Sequence, residues 1–122
     1  MQNIMSVRES LEQGSLDQRI KEIYVDEQRV PYNRERYIRA IDRFTELFPS
    51  EKELEIYSAP GRSEVCGNHT DHQNGMVLAT SINLDAIAIV AKAEEPVIRL
   101  VSGDFPMEEV DVADLSMKEE EK

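Results

Sequence analysis

Residues 59–75 read A-P-G-R-S-E-V-C-G-N-H-T-D-H-Q-N-G, and this stretch decides how the rest of the chain is interpreted. It combines an arginine, two histidines, an aspartate and three glycines. Apolar, strand-like segments flank it at residues 54–59 and 76–93. A rigid scaffold commonly presents an exposed polar loop of this kind to a small ligand. We therefore expect a small-molecule site in this loop.

The chain before this loop has the apolar spacing of helices. A weak amphipathic pattern predicts a helix over residues 1–13, and a second helix is predicted to begin after Ser15, which is placed to cap it. The strongest pattern predicts a third helix over residues 33–48, because its apolar residues recur every three or four positions. Pro49 ends that helix.

From residue 54 onwards the apolar period changes to two, which is typical of strands. The predicted strands cover residues 54–59, 63–66, 76–82, 86–93, 97–102 and 107–112. Those at 76–82 and 86–93 are apolar almost throughout, which indicates burial on both faces, with a turn or bend at Asn83 and Asp85. Helices followed by strands predict an α+β fold with a mainly antiparallel or mixed sheet. We expect a helical region at residues 1–49 and a strand-rich part at residues 50–122.

The composition narrows the classes of partner. The 122 residues suggest one domain. The formal net charge of −11 repels nucleic acid and anionic lipid, and no window is apolar enough to span a bilayer. We therefore expect neither a nucleic-acid nor a membrane partner. Cys66 is the only cysteine, which excludes an internal disulfide and is compatible with the cytoplasm, and we expect its thiol to be buried and inert.

The loop resembles the first signature of the galactokinases, in the GHMP superfamily of small-molecule kinases. The family pattern is roughly G-R-x-N-x-I-G-E-H-x-D-Y, followed by a glycine and an apolar strand. Five residues match it position for position, namely Gly61, Arg62, Gly67, His69 and Asp71. Four positions depart from it, namely Glu64 for the asparagine, Cys66 for the isoleucine, Asn68 for the glutamate and His72 for the tyrosine.

The resemblance implies roles for four residues. Arg62 would be catalytic, beside the hydroxyl that attacks ATP, where a guanidinium stabilises the developing negative charge. Asp71 would bind substrate by accepting hydrogen bonds from two neighbouring sugar hydroxyls, since a carboxylate has two acceptor oxygens. His69 and Asn68 would contact further sugar hydroxyls. Asn68 changes the pairing there, because an amide also donates whereas the family glutamate only accepts.

Each of these residues also has an ordinary structural interpretation. Arg62 could pair with a surface carboxylate, Asp71 could cap a turn, and His69 could bond the backbone. The run H-T-D-H at residues 69–72 also resembles the H-x-H-x-D-H loop of the metallo-β-lactamase superfamily, whose ligands bind zinc. The leading histidine of that motif falls on Gly67, and the chain has only two histidines. We assign no metal ligand to the chain.

The second signature of these kinases, a glycine-serine loop whose amides hold the ATP phosphates, has no match in this chain. We therefore interpret the chain as an N-terminal piece of a sugar kinase that carries an incomplete domain. ATP and magnesium would be bound by the remainder of the kinase chain, and this chain alone would be inactive. The alternatives are a non-catalytic sugar-binding or regulatory module and a metallohydrolase with a degenerate site.

Overall fold

The computed structural model describes residues 1–67 and 70–116, without the side chain of Asp71. Its helices are α1 (Ile4–Glu12), α2 (Asp17–Tyr24) and α3 (Val30–Leu47). Its strands are β1 (Gln2–Asn3), β2 (Glu53–Cys66), β3 (Leu78–Val90), β4 (Val97–Leu100) and β5 (Glu108–Asp111). Single 3₁₀ turns lie at Glu27–Arg29 and Asp71–Gln73. The helices precede the long strands and every strand pairing is antiparallel, so the α+β prediction is confirmed.

The chain forms two compact units, of which the first is Met1–Ala91 and the second begins at Lys92. The first contains the three helices and a three-stranded sheet of order β1-β2-β3. The second contains the hairpin of β4 and β5, in which Arg99 donates to Glu109 at 2.7 Å. No helix among the described residues has the length and apolar character needed to cross a membrane. The division into regions 1–49 and 50–122 stays a prediction.

The helices begin and end for identifiable reasons, some of which differ from the sequence-based expectation. Gly14 follows α1 with a φ of +72°, a conformation that glycine adopts without cost. Ser15 does not cap α2, because its hydroxyl donates to the carbonyl of Ser10 at 2.9 Å and Leu16 takes the capping position. α3 begins three residues earlier than predicted, since Pro31 lies in the first turn, where its missing N–H costs nothing.

The hydrophobic core lies between the helices and the first residues of β2. Ile41 on α3 and Leu54 on β2 are the largest fully buried side chains. Around them lie the other buried apolar residues: Ile4, Val7, Leu11, Ile20, Tyr24, Val30, Tyr37 and Phe44. Three residues of the sheet, Ile56, Ile87 and Ile89, pack against this cluster. The helices therefore hold the end of the sheet that is formed by the start of β2 and the end of β3.

β2 and β3 form one long antiparallel hairpin. Its pairing runs from Glu55 opposite Val90 to Cys66 opposite Leu78. The sequence predicted two separate strands on each side, and this is wrong, because each pair of segments forms one strand with irregular register. Residues 82–84 lie opposite Gly61 alone, so β3 has a β-bulge at this point. This bulge replaces the turn or bend that was expected at Asn83.

β3 is not buried on both faces, as its apolar sequence had indicated. Its exposure alternates towards Val90, where the helices cover one face, and stays high towards Leu78, whose side chain is 62% exposed. The thiol of Cys66, also expected to be buried, is exposed. An apolar sequence shows only that a strand is able to be buried. β3 is exposed towards Leu78 because the helices cover only the other end of the hairpin.

A single carboxylate connects α2, α3, β2 and β3. Asp85 on β3 is 3% exposed and accepts hydrogen bonds from Arg36 at 2.5 Å, Tyr24 at 2.8 Å and Ser58 at 2.5 Å. Tyr24 also shares a hydrogen bond of 2.8 Å with Tyr37. Burial raises the pKa of Asp85, but the bonds from Ser58, Arg36 and Tyr24 outweigh it and hold that pKa below its ordinary value of 3.8. The carboxylate is thus charged in the folded state.

The Asp85→Asn variant should lose about 3–5 kcal/mol of unfolding free energy, because it leaves Arg36 without its buried partner. The pKa of this carboxyl is depressed by folding, so its contribution is present above about pH 4 and is lost as pH falls through the folded pKa. Urea denaturation followed by circular dichroism between pH 3 and pH 7 measures both effects. Glu46→Gln, which removes an exposed partner of Arg43, is the control and should change little. Equal stability of the two variants would contradict the anchoring role of Asp85.

Candidate functional site

The polar loop is the connection of the β2–β3 hairpin. The strands meet at Cys66 and Leu78, so residues 67–77 lie at the end of the hairpin. Thr70 closes this connection, because its hydroxyl donates to the carbonyl of Gly67 at 2.9 Å. Its own carbonyl accepts from the amides of Gln73 at 3.0 Å and Gly75 at 2.9 Å. Residues 70–75 therefore form a hydrogen-bonded turn, which the hydroxyl of Thr70 ties to Gly67.

Two glycines of the loop occupy positions where a side chain does not fit. Gly67 has a φ of +113°, and a Cβ there would lie 2.6 Å from the carbonyl oxygen of Met76 and 2.7 Å from the Cα of Val77. A Cβ on Gly75 would overlap the side chain of Thr70. Contacts below 3.0 Å between a Cβ and backbone do not occur in relaxed structures. The close approach of the chain to itself thus explains the glycines that the signature has at these two positions.

Arg62 lies on β2 between the two register irregularities, opposite Ser81. Its side chain is 53% exposed and donates to Glu64 at 3.1 Å. The two residues share one face of the strand because they are two positions apart. Glu64 is only 18% exposed, so it presents a fixed acceptor to a partly exposed guanidinium. The structure therefore shows the surface pairing considered above, with the guanidinium held at the base of the loop.

The other predicted site residues are less fully described. Asn68 and His69 lie outside the described residues. Asp71 begins a 3₁₀ turn, and its side chain is likewise outside the description. The sugar contacts of these three residues therefore stay predictions. The structural role of Thr70 was missed, although a hydroxyl in a short polar run after a glycine is a usual signal for a side chain that bonds its own turn.

The metal-site alternative depends on residues 69–72, of which only part is described. Among the side chains that the structure describes, no group of three His, Cys, Asp or Glu could hold a metal ion. His69 and Asp71 are not among these side chains. The described geometry consequently gives the zinc hypothesis no support and does not test it.

Comparisons with known proteins agree with the signature. Residues 42–92 match the family model described as the galactokinase galactose-binding signature. The chain is similar to galactokinases of Streptomyces coelicolor (36% identity over 62% of this chain), Lactococcus lactis subsp. lactis (32% over 66%) and Enterococcus faecalis (34% over 65%). No solved structure matches it significantly. The resemblance to the galactokinases is confirmed, and the chain spans about a fifth of the length of these relatives.

Alanine at Gly67 or at Gly75 should loosen the hairpin connection. Each substitution introduces a steric conflict or backbone strain of about 1–3 kcal/mol, so the loop should open more often and be cleaved roughly tenfold faster by a protease. Limited proteolysis with mass spectrometry of the cleavage sites measures this. Gly103→Ala is the control, because its Cβ would meet nothing within 4 Å and the strain of alanine at its φ of +56° falls in the second unit. Cleavage within residues 67–77 at the wild-type rate in both loop variants would contradict the described backbone.

Proposed function

We propose that this chain, which carries the galactose-binding signature of the galactokinases, is the sugar-binding N-terminal segment of a galactokinase-like kinase. The whole enzyme would transfer the γ-phosphoryl group of ATP to a hydroxyl of galactose or a related hexose. The observation that carries this proposal is the signature match over residues 42–92, which contain the whole β2–β3 hairpin and its loop. The similarity to galactokinases from three bacteria supports it.

Arg62 is the residue to which we assign a direct part in phosphoryl transfer. This reaction depends on positioning and on stabilisation of negative charge, with little covalent chemistry for the protein to perform. A guanidinium beside the attacking hydroxyl favours the developing alkoxide and the crowded phosphate oxygens. The contact with Glu64 restricts the guanidinium before substrate arrives, which lowers the entropy lost on binding.

Asn68, His69 and Asp71 are proposed to bind the sugar. The two oxygens of Asp71 accept from adjacent hydroxyls, and such pairing discriminates against analogues that lack one of them. His69 provides one further contact. Asn68 offers both an acceptor and a donor where the galactokinase pattern has glutamate, so it is the residue most able to change the range of accepted sugars.

Nucleotide chemistry is assigned to other parts of the kinase chain. The residues present include no glycine-serine phosphate loop, so ATP and magnesium are proposed partners of the whole protein. When bound, the magnesium ion neutralises the phosphate charge during transfer. We place this kinase in the cytoplasm, within galactose metabolism and in the GHMP superfamily, with no nucleic-acid or membrane partner.

A non-catalytic sugar-binding module is the second candidate, and one observation favours it. Glu64 occupies the position of the signature asparagine and already pairs with the guanidinium of Arg62. A carboxylate there opposes the approach of phosphate charge, whereas an asparagine would not. Transfer of labelled phosphate from ATP to galactose by the full-length gene product separates the two candidates. Galactose binding without transfer would favour the module, and absence of both would contradict the proposed function.

Two substitutions in the full-length gene product should affect different kinetic constants. Arg62→Ala should lower kcat more than it raises KM, because the benefit of the guanidinium grows as charge develops. Asp71→Asn should weaken galactose binding by about 1.5–3 kcal/mol, the usual range for a charged hydrogen bond. Steady-state kinetics and galactose titration measure these effects. Arg99→Gln, which changes an arginine of the second unit, is the control. Wild-type behaviour of both site variants would refute their assigned roles.

Asn68→Glu should restore the galactokinase pattern at the largest departure from it. Galactose affinity should rise by about 1 kcal/mol, the difference between a neutral and a charge-assisted hydrogen bond. The ranking of a panel of hexoses and amino sugars should also change. Asn68→Gln is the control, because it adds length without charge. If galactose KM and the panel ranking both stay constant in Asn68→Glu, Asn68 does not contact the sugar.

A further inference from the structure

Thr70 precedes Asp71, the residue proposed to accept from two sugar hydroxyls, and its own hydrogen bonds lie within the loop. Its side chain is half-buried. Its φ of −99° and ψ of 5° lie in the bridge region, which occurs in tight turns and at many active sites. A role for this residue therefore has to come from what its hydroxyl and its carbonyl hold in place.

The carbonyl of Thr70 restricts the backbone that carries Asp71. It accepts from the amides of Gln73 at 3.0 Å and Gly75 at 2.9 Å, so two hydrogen-bonded rings close around Asp71. This carbonyl belongs to the peptide group that joins Thr70 to Asp71, and a peptide group is planar. The two bonds consequently set the orientation of the peptide from which the backbone of Asp71 continues.

The hydroxyl of Thr70 connects this turn to the end of β2. It donates to the carbonyl of Gly67 at 2.9 Å, one residue beyond Cys66, where the ladder with β3 ends. The chain at Gly75 lies against the same side chain, since a Cβ on Gly75 would overlap it. The side chain is thus bonded on one side and confined by packing on the other. Removal of the hydroxyl would take away this connection and leave the carbonyl of Gly67 without its donor.

Arg62 is held in a different way. It lies in β2 opposite Ser81, and its guanidinium donates to Glu64 at 3.1 Å. Loss of the Thr70 hydroxyl would affect the turn beyond Cys66 and leave the ladder at Arg62 in place. Sugar binding and phosphoryl transfer therefore depend on different parts of the hairpin, and they should respond separately to a change at Thr70.

We propose that Thr70 is a positioning residue of the sugar site. Its hydroxyl and its carbonyl hold the backbone of Asp71 so that the carboxylate meets two neighbouring hydroxyls of the sugar. This inference rests on the proposed function, and Thr70 acts in it through Asp71. Hydrogen bonds weaken steeply away from their preferred distance and angle, so a small shift of the backbone is enough to weaken sugar binding.

Steady-state kinetics of the full-length gene product with Thr70→Val and Thr70→Ser test the proposal. Valine keeps the shape and removes the hydroxyl, so the KM for galactose should rise about tenfold. The kcat and the KM for ATP should stay within about twofold of the wild type. Serine keeps the hydroxyl and should restore a galactose KM close to that of the wild type.

Thr45→Val is the matched control for the loss of a threonine hydroxyl. The hydroxyl of Thr45 also donates to a carbonyl, that of Ile41 at 2.9 Å, but this bond lies within α3. The helices cover the end of the hairpin opposite to the loop, so Thr45→Val should leave the KM for galactose unchanged.

Thermal unfolding separates positioning from a purely structural role. A structural role would lower the melting temperature and the fraction of active enzyme, which lowers kcat and leaves KM unchanged. We expect Thr70→Val to melt close to the wild-type temperature, because the core lies at the other end of the hairpin. Thr70→Ala also removes the hydroxyl, and it carries the same test if valine prevents folding.

The outcomes distinguish this proposal from the proposed function. A wild type that phosphorylates galactose, together with an unchanged galactose KM in Thr70→Val, would overturn the positioning role alone. A raised KM that Thr70→Ser does not restore would also overturn it, because the hydroxyl would then not be the cause. A wild type that neither binds nor phosphorylates galactose would overturn the proposed function, and the positioning role with it.

Discussion

The carboxylate of Asp85 is the interaction on which the rest of the first unit depends. It receives hydrogen bonds from one residue each of α2, α3 and β2 while lying on β3 itself. A buried ion pair adds little net stability, because both charges lose water on folding. It does restrict the fold, since any other packing of these four elements would leave a buried charge without a partner. The position of the helices on the hairpin is set in this way.

The two strands connect the polar loop to this anchor and so determine its position. Asp85 lies opposite Pro60, at the start of the irregular register. Arg62 and Glu64 follow in a regular segment, which ends at a second irregularity between Glu64 and Cys66, just before the loop. Bulges increase local twist and redirect side chains, so the irregularity next to Asp85 sets the direction in which Arg62 leaves the strand. At the other end, Thr70 and the two glycines restrict the backbone at residue 67 and at residues 70–75. The signature thus combines residues that shape the loop with residues available for chemistry.

The sequence predicted local features well and non-local ones poorly. The period of α3, the α+β class and the signature loop follow from residues close together in the chain, where spacing and turn chemistry act directly. The role of Asp85 was missed, because a charged residue in an apolar run is typical of a turn and its partner Arg36 is 49 residues away. Burial of β3 was overestimated for a similar reason, since apolar sequence does not say which neighbour covers a strand.

The central claim is that one buried carboxylate sets the register of the hairpin that carries the loop. Amide hydrogen exchange in the wild type and in Asp85→Asn, at neutral pH and below the melting temperature of both, tests it most directly. The claim predicts that protection falls in the variant at Arg62 and Ser81, which pair beyond the bulge, as well as at Ser58 beside Asp85. Loss of protection confined to Ser58 and the adjoining helices, with unchanged exchange at Arg62 and Ser81, would contradict it.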